Sequence, residues 1–344
     1  MYKTAIIGLG QIGYKIDQDP FRKLIWSHAK AYNVHNESEL IAVSDLDLKN
    51  YNDFNKYYPQ INYYNNYLKM LDTIDLDIIS ICTPTSTHLN IIKNIAKVNP
   101  PKAIFLEKPM GKNLKEAIQI SKLCNDAGII LAVNYMRRWD KNYESIQSII
   151  NKGDYGSIQS ISAYGSTALL TSACHLIDLM LFFSGDIDWV IGELQDDYIR
   201  LVHDVPDPGG VAFIKFKNNA YGFLKGTSIN EKNFMFEIDI IFEKGRIVIK
   251  EPWLKNDFVE INQWEFLPRN KNENVFFHTL TDKSQLDFET KEERMLEAIT
   301  DIKKCIENKI ITKSNDINAM MVHQVIEKIK HSSINNNKRI PIDN

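Results

Sequence analysis

The stretch Tyr2–Gly13 constrains this chain most, because it joins an apolar run directly to a glycine-rich turn. Lys3–Ile7 reads as a short buried strand. The sequence GLGQIG follows at residues 8–13 and matches G-x-G-x-x-G. The first glycine permits a tight turn, the second lets backbone approach a pyrophosphate, and the third lets a helix pack closely. The pattern also suits an ordinary strand-to-helix turn, but its position after a strand favours a dinucleotide.

An acidic residue ends the second predicted strand. That strand is Leu40–Ser44, and Asp45 follows it. A carboxylate at this point can accept hydrogen bonds from the ribose hydroxyls and repels a 2′-phosphate, which favours NAD over NADP. Asp45 comes about a dozen residues later than the usual spacing of about 20 would place it. We assign the extra residues to an insert, Tyr14–Trp26, in which Pro20 interrupts the expected helix.

The composition limits the classes of partner. The 344 residues suffice for two domains, and 41 basic against 44 acidic residues leave no concentrated charge for nucleic acid. The four cysteines are scattered without a C-x-x-C pair, which argues against a zinc site or a disulfide framework and fits a reducing compartment. The sequence shows no signal peptide and no apolar run of membrane-spanning length. We therefore expect a cytoplasmic protein with no metal, nucleic-acid partner or membrane partner.

The order of the predicted elements gives the fold class. Strands alternate with helices through residue 133, which predicts parallel β-α-β units in a doubly wound (Rossmann) sheet. The later part contains two predicted hairpins, Val211–Lys217 with Ala220–Lys225 and Phe234–Phe242 with Arg246–Lys250. Their alternation suits an open, mainly antiparallel sheet. The chain is thus α/β, with a dinucleotide-binding domain at 1–133. An α+β domain for substrate binding and oligomerisation follows at 134–344, and its closing helices can pack back on the first.

Lys108 is the first candidate for chemistry. It lies in Glu107-Lys108-Pro109, directly after the predicted strand Lys102–Leu106, so it sits at the carboxyl edge where ligands bind in such sheets. Pro109 favours an extended conformation at the preceding lysine. An ammonium group fixed there can donate a hydrogen bond to a substrate oxygen beside a nicotinamide. The alternative is an ordinary solvated lysine after a strand.

His175 is the second candidate. Thr171 precedes it by four residues and Asp178 follows it by three, so on a helix each pair would share a face. A neutral histidine is a natural base for a hydroxyl that loses a hydride. The alternative is a helical histidine bonded to Asp178 or to a backbone carbonyl. The spacing H-x-x-D offers only two ligands, which argues against a metal.

A polar segment, Asn134–Asp140, follows the last predicted parallel strand. Arg137 and Arg138 within it can meet anions of substrate or cofactor. They can equally bridge the two domains through ion pairs, and the sequence leaves both interpretations open.

These motifs in this order resemble the Gfo/Idh/MocA family of oxidoreductases. The shared features are the glycine motif, Asp45, a T-P-x-x-x-H motif from Thr83 to His88, E-K-P at Glu107–Pro109, Arg137–Asp140 and H-x-x-D at His175–Asp178. The resemblance covers nearly the whole chain. It implies an NAD(P)-dependent dehydrogenase or reductase acting on CH–OH groups of sugars, polyols or nucleotide-linked sugars, and a homodimer or homotetramer formed through the open sheet.

The resemblance also implies site residues. Lys108 and His175 correspond to the catalytic lysine and histidine. The implied cofactor-binding residues are Gly8, Gly10, Gln11, Ile12, Gly13, Asp45, Thr83, Pro84, Thr85, His88, Glu107, Lys108 and Arg138. The implied substrate-binding residues are Lys108, Asn134, Tyr135, Arg137, Thr171 and His175.

Two departures from the family pattern affect these expectations. Many members have D-x-G-x-H, whereas this chain has Thr171 and Ala173 at the first and third positions. A threonine cannot stabilise an imidazolium by charge, so His175 would be a weaker base. This keeps a rival open, a non-catalytic regulatory protein that binds a dinucleotide or sugar on the same fold. The insert Tyr14–Trp26 is the second departure; it could reach over the cleft, with Asp17, Asp19 and Arg22 as polar contacts.

Overall fold

The computed structural model describes residues 1–22, 24–202, 205–227, 235–251, 258–268, 276–287 and 293–342. They form two compact units. Unit 1 takes in Met1–Lys141 and the described part of Lys291–His323, and unit 2 takes in Asn142–Val202 and the described parts of Pro206–Thr290 and Gln324–Asn344. No helix in these residues combines the length and apolar character needed to cross a bilayer.

Unit 1 contains a sheet of parallel strands flanked by helices. Its strands are β1 (Tyr2–Ile7), β2 (Ser38–Ser44), β3 (Asn62–Tyr64), β4 (Ile78–Ile81), β5 (Ala103–Leu106) and β6 (Ile130–Val133). Its helices are α1 (His28–Val34), α2 (Leu48–Phe54), α3 (Tyr67–Thr73), α4 (His88–Val98), α5 (Leu114–Asp126) and α8 (Arg294–Asn308). The helix α9 (Asp316–Ile334) contributes residues to both units.

The strand order is β3-β2-β1-β4-β5-β6, and all five pairings are parallel. The order reverses between β1 and β4, which is the switch point where ligands bind in doubly wound sheets. Ile7 pairs with Ile81, and Ile81 pairs with Leu106. The residues that follow these three strands therefore leave the sheet at one edge. The predicted Rossmann sheet is confirmed.

The insert interrupts the first helix, and the helical hydrogen bonds of the glycine turn continue on the other side of it. The amides of His28 and Ala29 donate to the carbonyls of Ile12 (3.1 Å) and Gly13 (3.0 Å). In an α-helix such bonds join residues four apart, but here they join residues sixteen apart. The extra residues therefore form a loop, and the helical hydrogen bonds resume after it. Ser27 caps α1 by accepting from the amide of Lys30. The expected excess of about a dozen residues is thus located at the insert.

Local caps explain where the prediction for the next helix was wrong at its start. A helix was expected over Tyr64–Leu71, but Tyr64 ends β3 and Asn66 caps α3 by accepting from the amide of Leu68. An asparagine before a helix competes for its first amides, which shifts the helix start past the strand. Asp47 caps α2 in the same way.

Helix α8 completes the core of unit 1. Met295, Ala298, Ile299 and Ile302 are buried in the same cluster as Phe105 and Trp139. The indole of Trp139 donates to Asp301 (2.8 Å), and Arg294 pairs with Asp140 at 2.5 Å. The segment after β6 is therefore anchored by polar bonds as well as by apolar packing.

Unit 2 contains a mixed sheet. Its strands are β7 (Ile158–Gly165), β8 (Ile187–Val202), β9 (Val205–Phe216), β10 (Tyr221–Gly226), β11 (Phe236–Phe242), β12 (Gly245–Lys250), β13 (Phe258–Pro268), β14 (Phe276–Asp287) and β15 (Ile340–Pro341). Its helices are α6 (Lys141–Lys152) and α7 (Cys174–Ser184), with a π-helical turn, Leu169–Ala173, before α7.

The order of these described strands is β14-β13-β12-β11-β7-β10-β9-β8-β15. The pair β7 and β10 is parallel, and the hairpins β9–β10 and β11–β12 are antiparallel as predicted. Helix α7 lies on this sheet: a side chain at Gly222 would meet Met180, and one at Gly165 would meet Leu176. The mainly antiparallel second sheet is confirmed; the expected strand start at Phe234 and helix start at Thr290 lie outside the described residues.

Candidate functional site

The glycine turn has the shape that its sequence predicts. Gly8 has a φ of +99°, and a side-chain carbon there would lie 2.8 Å from the carbonyl carbon of Cys82. A side-chain carbon at Gly13 would lie 2.3 Å from the carbonyl oxygen of Gly8, whereas one at Gly10 would meet no atom within 4 Å. The outer glycines are thus needed for the turn itself. Gly10 faces open space, which is where backbone can approach a ligand.

A helical turn begins within the motif even though α1 starts later. The carbonyl of Gly10 accepts from the amide of Tyr14 (3.3 Å), and that of Gln11 accepts from Ile16 (2.8 Å). The first amides of a helical turn have no partner within it and favour an anion. Gln11 is exposed and Ile12 is partly exposed. The turn therefore has the open space and the amides that a pyrophosphate needs, and a dinucleotide fits it.

Asp45 is held next to this turn. Its carboxylate accepts from the amide of Leu9 (2.6 Å), the amide of Asp47 (2.8 Å) and the side chain of Asn50 (3.3 Å). The Lys15 ammonium donates to the oxygen of Asn50 (2.6 Å). Asp45 stays partly exposed. The carboxylate expected at the end of β2 is therefore oriented by backbone and joined to the glycine turn.

The loop after β4 carries the predicted threonine–proline motif. The hydroxyl of Thr87 lies 2.7 Å from both the Thr83 hydroxyl and the Pro84 carbonyl. Thr83 is partly exposed and Thr85 is buried. His88 is buried, and its ring nitrogens lie 3.2 Å from the carbonyl of Met110 and 3.0 Å from that of Thr83. His88 thus joins the loops that follow β4 and β5.

A chain of buried polar groups lies behind Lys108. It runs from the Tyr32 hydroxyl to Ser80 (2.7 Å), from Ser80 to Nδ1 of His28 (2.8 Å) and from Nε2 of His28 to Glu107 (2.9 Å). The amide of Asn134 donates to the same oxygen of Glu107 at 2.6 Å. The chain links α1, β4, the end of β5 and the end of β6. It fixes the Glu107 side chain from two sides.

The end group of this chain fixes one proton position. A carboxylate only accepts, so Nε2 of His28 carries a proton toward Glu107. Burial raises the pKa of Tyr32, whose hydroxyl lies 2.7 Å from that of Ser80. Burial acts to raise the pKa of Glu107, but the bonds from His28 and Asn134 and the charge of Lys108 outweigh it. The net effect lowers the pKa of Glu107 and keeps it ionised.

Lys108 itself is partly exposed at the edge of the sheet, and its peptide bond to Pro109 is cis. It follows Glu107, whose amide donates to the carbonyl of Ile81 at 3.0 Å. Lys108 has partners of its own within the structure. The predicted position of this lysine, at the carboxyl end of β5 and on the edge that carries the glycine turn, agrees with the structure.

The segment after β6 is buried. Tyr135 is 1% exposed, and Arg137 and Arg138 are each 7% exposed; all three have partners. The carbonyl oxygen of the Asn134 side chain is buried without a hydrogen-bond partner among the described residues. A buried polar atom is costly to leave unpaired.

The acidic side chains of the insert contact the insert itself and the residue that follows it. Asp17 accepts from the amides of Trp26 (3.0 Å) and Ser27 (2.8 Å) and from the Ser27 hydroxyl (2.7 Å). Asp19 lies 3.6 Å from Arg22, whose guanidinium stacks on Trp26 at 5.1 Å. Asp17 therefore closes the base of the insert, which corrects the expectation that it is available to a ligand.

In unit 2, Thr171 lies in the π-helical turn that precedes α7. The amide of Ala173 donates to the carbonyl of Ala168 (3.3 Å), the five-residue spacing of a π-helix. The buried carboxylate of Asp207, on β9, accepts from the Thr171 hydroxyl (2.6 Å) and from the amide of Leu170 (2.6 Å). Such turns are frequent at functional sites.

His175 follows this turn in the first part of α7 and is partly exposed, whereas Asp178 is 1% exposed. Both have partners in the structure. Within the described residues, the side chains of His, Cys, Asp and Glu form no group of three that could hold a metal ion.

The sequence reasoning missed two residues that the structure places in contact with candidate site residues. The insert separates His28 from the glycine motif, so His28 does not have the position relative to that motif that a residue of an uninterrupted first helix would have. Asp207 lies on a strand 36 residues from Thr171, and only the pairing of the chain brings them together. The Ser27 cap just before His28 was a usable signal for the first; nothing in the sequence marks the second.

Known proteins agree with this architecture. Residues 2–135 match the GFO_IDH_MocA model, an oxidoreductase family with an NAD-binding Rossmann fold. The chain is 22% identical over 264 residues to the myo-inositol 2-dehydrogenase of Thermotoga maritima, a match covering 71% of this chain and 74% of that protein. It is 29% identical over 169 residues to the inositol 2-dehydrogenase of Rhizobium meliloti, covering 46% of this chain and 44% of that protein. The latter match thus spans less than half of the relative.

A solved structure shares the fold over the full length. The WlbA dehydrogenase from Bordetella pertussis, in complex with NADH and UDP-GlcNAcA, matches with a TM-score of 0.77 at 17% identity, covering 100% of this chain and 99% of that chain. Residues 2–135 thus resemble the NAD-binding Rossmann domain of the GFO_IDH_MocA oxidoreductase family, and the match to the WlbA structure shows a shared fold over the full length.

Proposed function

We propose that this chain is an NAD-dependent dehydrogenase or reductase acting on a carbinol or ketone of a sugar, a polyol or a nucleotide-linked sugar. The observation that carries the proposal is the position of Glu107 and Lys108 at the carboxyl end of β5, where bonds from His28 and Asn134 fix the Glu107 side chain. Neighbouring strands lie about 4.8 Å apart, so the ends of β1 and β5, which flank β4, lie about 10 Å apart. The glycine turn and the lysine thus share one edge on the scale of a bound dinucleotide.

We propose that the cofactor is bound by residues that follow the strands at this edge. The turn at Gly8, Gly10, Gln11, Ile12 and Gly13 would hold the pyrophosphate, and Asp45 the adenosine ribose. The loop of Thr83, Pro84 and Thr85, held by His88, would line the cofactor, with Glu107, Lys108 and Arg138 on its nicotinamide side. When bound, the dinucleotide supplies the hydride acceptor or donor at C4 of its nicotinamide ring. We favour NAD over NADP because the Asp45 carboxylate repels a 2′-phosphate.

The proton is handled by this chain's own residues. The Lys108 ammonium would donate a hydrogen bond to the substrate oxygen, and the adjacent Glu107 charge helps to keep Lys108 oriented. His175 would accept the hydroxyl proton on oxidation and return it on reduction, since histidine titrates near neutrality.

Other side chains would bind the sugar. We propose Asn134, Tyr135, Arg137 and Thr171 as its polar contacts. We further propose a cytoplasmic homodimer or homotetramer, in keeping with the family pattern.

The test replaces Lys108 by alanine. We expect Lys108→Ala to retain NADH binding, measured by fluorescence, while turnover on the active member of a panel of sugars, polyols and nucleotide sugars falls at least about 100-fold. The matched control is Lys112→Ala, four residues along the same loop. Lys112 is paired with Glu116 on the surface, so its variant should keep full turnover.

Two outcomes would contradict the proposal. If Lys108→Ala kept most of the turnover, the assigned role of Lys108 would be wrong. If the unmodified chain bound NADH but turned over no member of the panel, the regulatory rival would be favoured over the enzyme.

A further inference from the structure

The second site of interest is the turn that holds Thr171. The family pattern often has an aspartate at this position, and this chain has a hydroxyl instead. The structure places another carboxylate directly behind that hydroxyl. Asp207 is 0% exposed, and the Thr171 hydroxyl lies 2.6 Å from one of its oxygens. That distance is typical of a hydroxyl that donates to an ionised carboxylate.

The other oxygen of Asp207 is also used. It accepts from the amide of Leu170 at 2.6 Å, so the carboxylate binds two consecutive residues of the π-helical turn. This double contact fixes the rotation of the carboxylate and the direction of the Thr171 hydroxyl. It explains how a buried acidic group is tolerated on β9, because a buried charge must have hydrogen-bond partners.

The consequence concerns the polarity of Thr171. A threonine hydroxyl has one proton and two lone pairs. Since Asp207 takes the proton, the oxygen of Thr171 can act toward any further group as an acceptor. Its lone pairs are strengthened by the carboxylate behind it, because linked hydrogen bonds polarise each other.

We infer that Asp207 is a positioning residue that makes Thr171 an acceptor for a hydroxyl of the substrate. The Asp207–Thr171 pair thereby supplies, through one intervening hydroxyl, the negative polarity that an aspartate at position 171 would supply directly. This inference rests on the proposed function, since it assumes that the ligand is a polyhydroxylated substrate. It deepens that proposal by naming the group that recognises the hydroxyl.

Asparagine at position 207 tests the polarity. Its carbonyl oxygen can still accept from the amide of Leu170, but its NH₂ group would face Thr171 and donate to it. The hydroxyl of Thr171 would then point away and act as a donor. We expect Asp207→Asn to fold, to bind NADH normally and to lower kcat/KM about 10- to 100-fold, the range for a hydrogen bond to a charged group.

Two further variants separate this role from a purely structural one. In Thr171→Val the hydroxyl is absent, so adding Asp207→Asn should cause little further loss of kcat/KM. Thr171→Asp with Asp207→Asn moves the carboxylate to position 171 and should recover at least about tenfold over Asp207→Asn alone. Thr171→Asp without the second change should be poor, because two adjacent carboxylates would repel each other.

The measurements are kcat and KM on the substrate found with the panel, the dissociation constant of the substrate by calorimetry, and the melting temperature of each variant. Equal kcat/KM in Asp207→Asn and the unmodified chain would overturn the role of Asp207 and leave the proposed function standing. Additive losses in the double variant, with no recovery on moving the carboxylate, would also overturn it. Absence of turnover by the unmodified chain on the whole panel would overturn the proposed function and this role together.

Discussion

The Glu107 network in unit 1 and the Thr171 turn in unit 2 hold their candidate residues in different ways. In unit 1, the ionised side chain of Glu107 accepts from His28 and Asn134, and the polar chain continues through Ser80 to Tyr32. In unit 2, a single carboxylate, Asp207, holds two residues of one π-helical turn. The first spans four elements of a parallel sheet, and the second joins one strand to one turn.

This difference predicts how well each of the two regions tolerates substitution. The Glu107 network joins buried polar groups in series, so we expect a change at one member to affect the hydrogen bonds of the next. Loss of one member leaves the others buried and unsatisfied. In the Thr171 turn, the bonds from Leu170 and Thr171 go to one carboxylate, so we expect the residue at position 171 to vary more readily. A departure from the family pattern occurs in the second region, whereas the E-K-P motif of the first is retained.

The largest expected effect is on the Glu107 network. His28→Ala should lower the free energy of unfolding by about 3–5 kcal/mol, because it leaves the buried Glu107 carboxylate without its ring partner. Urea unfolding would measure this. Lys30→Ala, on the same helix, is the control and should change stability by less than about 0.5 kcal/mol. A small effect of His28→Ala would show that the network is no more cooperative than the Thr171 turn.

Glu107→Gln should lower the free energy of unfolding by about 1.5–3 kcal/mol at pH 7, because a neutral amide oxygen accepts the bonds from His28 and Asn134 less strongly than a carboxylate does. The loss should depend on pH. The pKa of Glu107 is lowered in the folded protein from an ordinary value of 4.5, so its stabilisation is complete well above that value and is lost as the pH falls through the lowered pKa. The difference between the two proteins should therefore shrink below about pH 4.5. A difference that stayed constant down to the acid transition would argue against an ionised Glu107.

The next prediction concerns the insert that precedes α1, the helix that carries His28 and Tyr32. Asp17→Asn removes one of the acceptors at the base of the loop and should cost about 1 kcal/mol, with faster proteolysis within the insert. Asp19→Asn is the matched control, since the Asp19 side chain is 44% exposed and should contribute little. Equal stabilities of the two variants would mean that Asp17 does not close the loop.

The smallest effect is expected in unit 2. Thr171→Ser keeps the hydroxyl that donates to Asp207 and should change the free energy of unfolding by no more than about 0.5 kcal/mol. Thermal unfolding would measure it. A loss comparable with that of His28→Ala would mean that the turn is as tightly constrained as the Glu107 network, and the contrast between the two regions would disappear.

Much of unit 1 follows from local sequence signals. Three such signals are the apolar run before Gly8, the strand that precedes Asp45 and the E-K-P motif. Each predicts a strand and the position of its carboxyl end, and parallel strands place these ends together. The parallel order and the later hairpins were predicted from periodicity in the same way. Signals of this kind are short in range, so they fail where the chain leaves its regular spacing.

The sequence by itself determined the doubly wound sheet, the glycine turn, the family resemblance and the positions of Lys108 and His175 on their elements. Tertiary structure alone decided that His28 meets Glu107 across the insert, that Asp17 closes that insert and that Asp207 holds Thr171. The physical reason is that hydrogen bonds between distant side chains depend on strand order and register. Strand order and register bring together residues whose separation along the chain carries no signal.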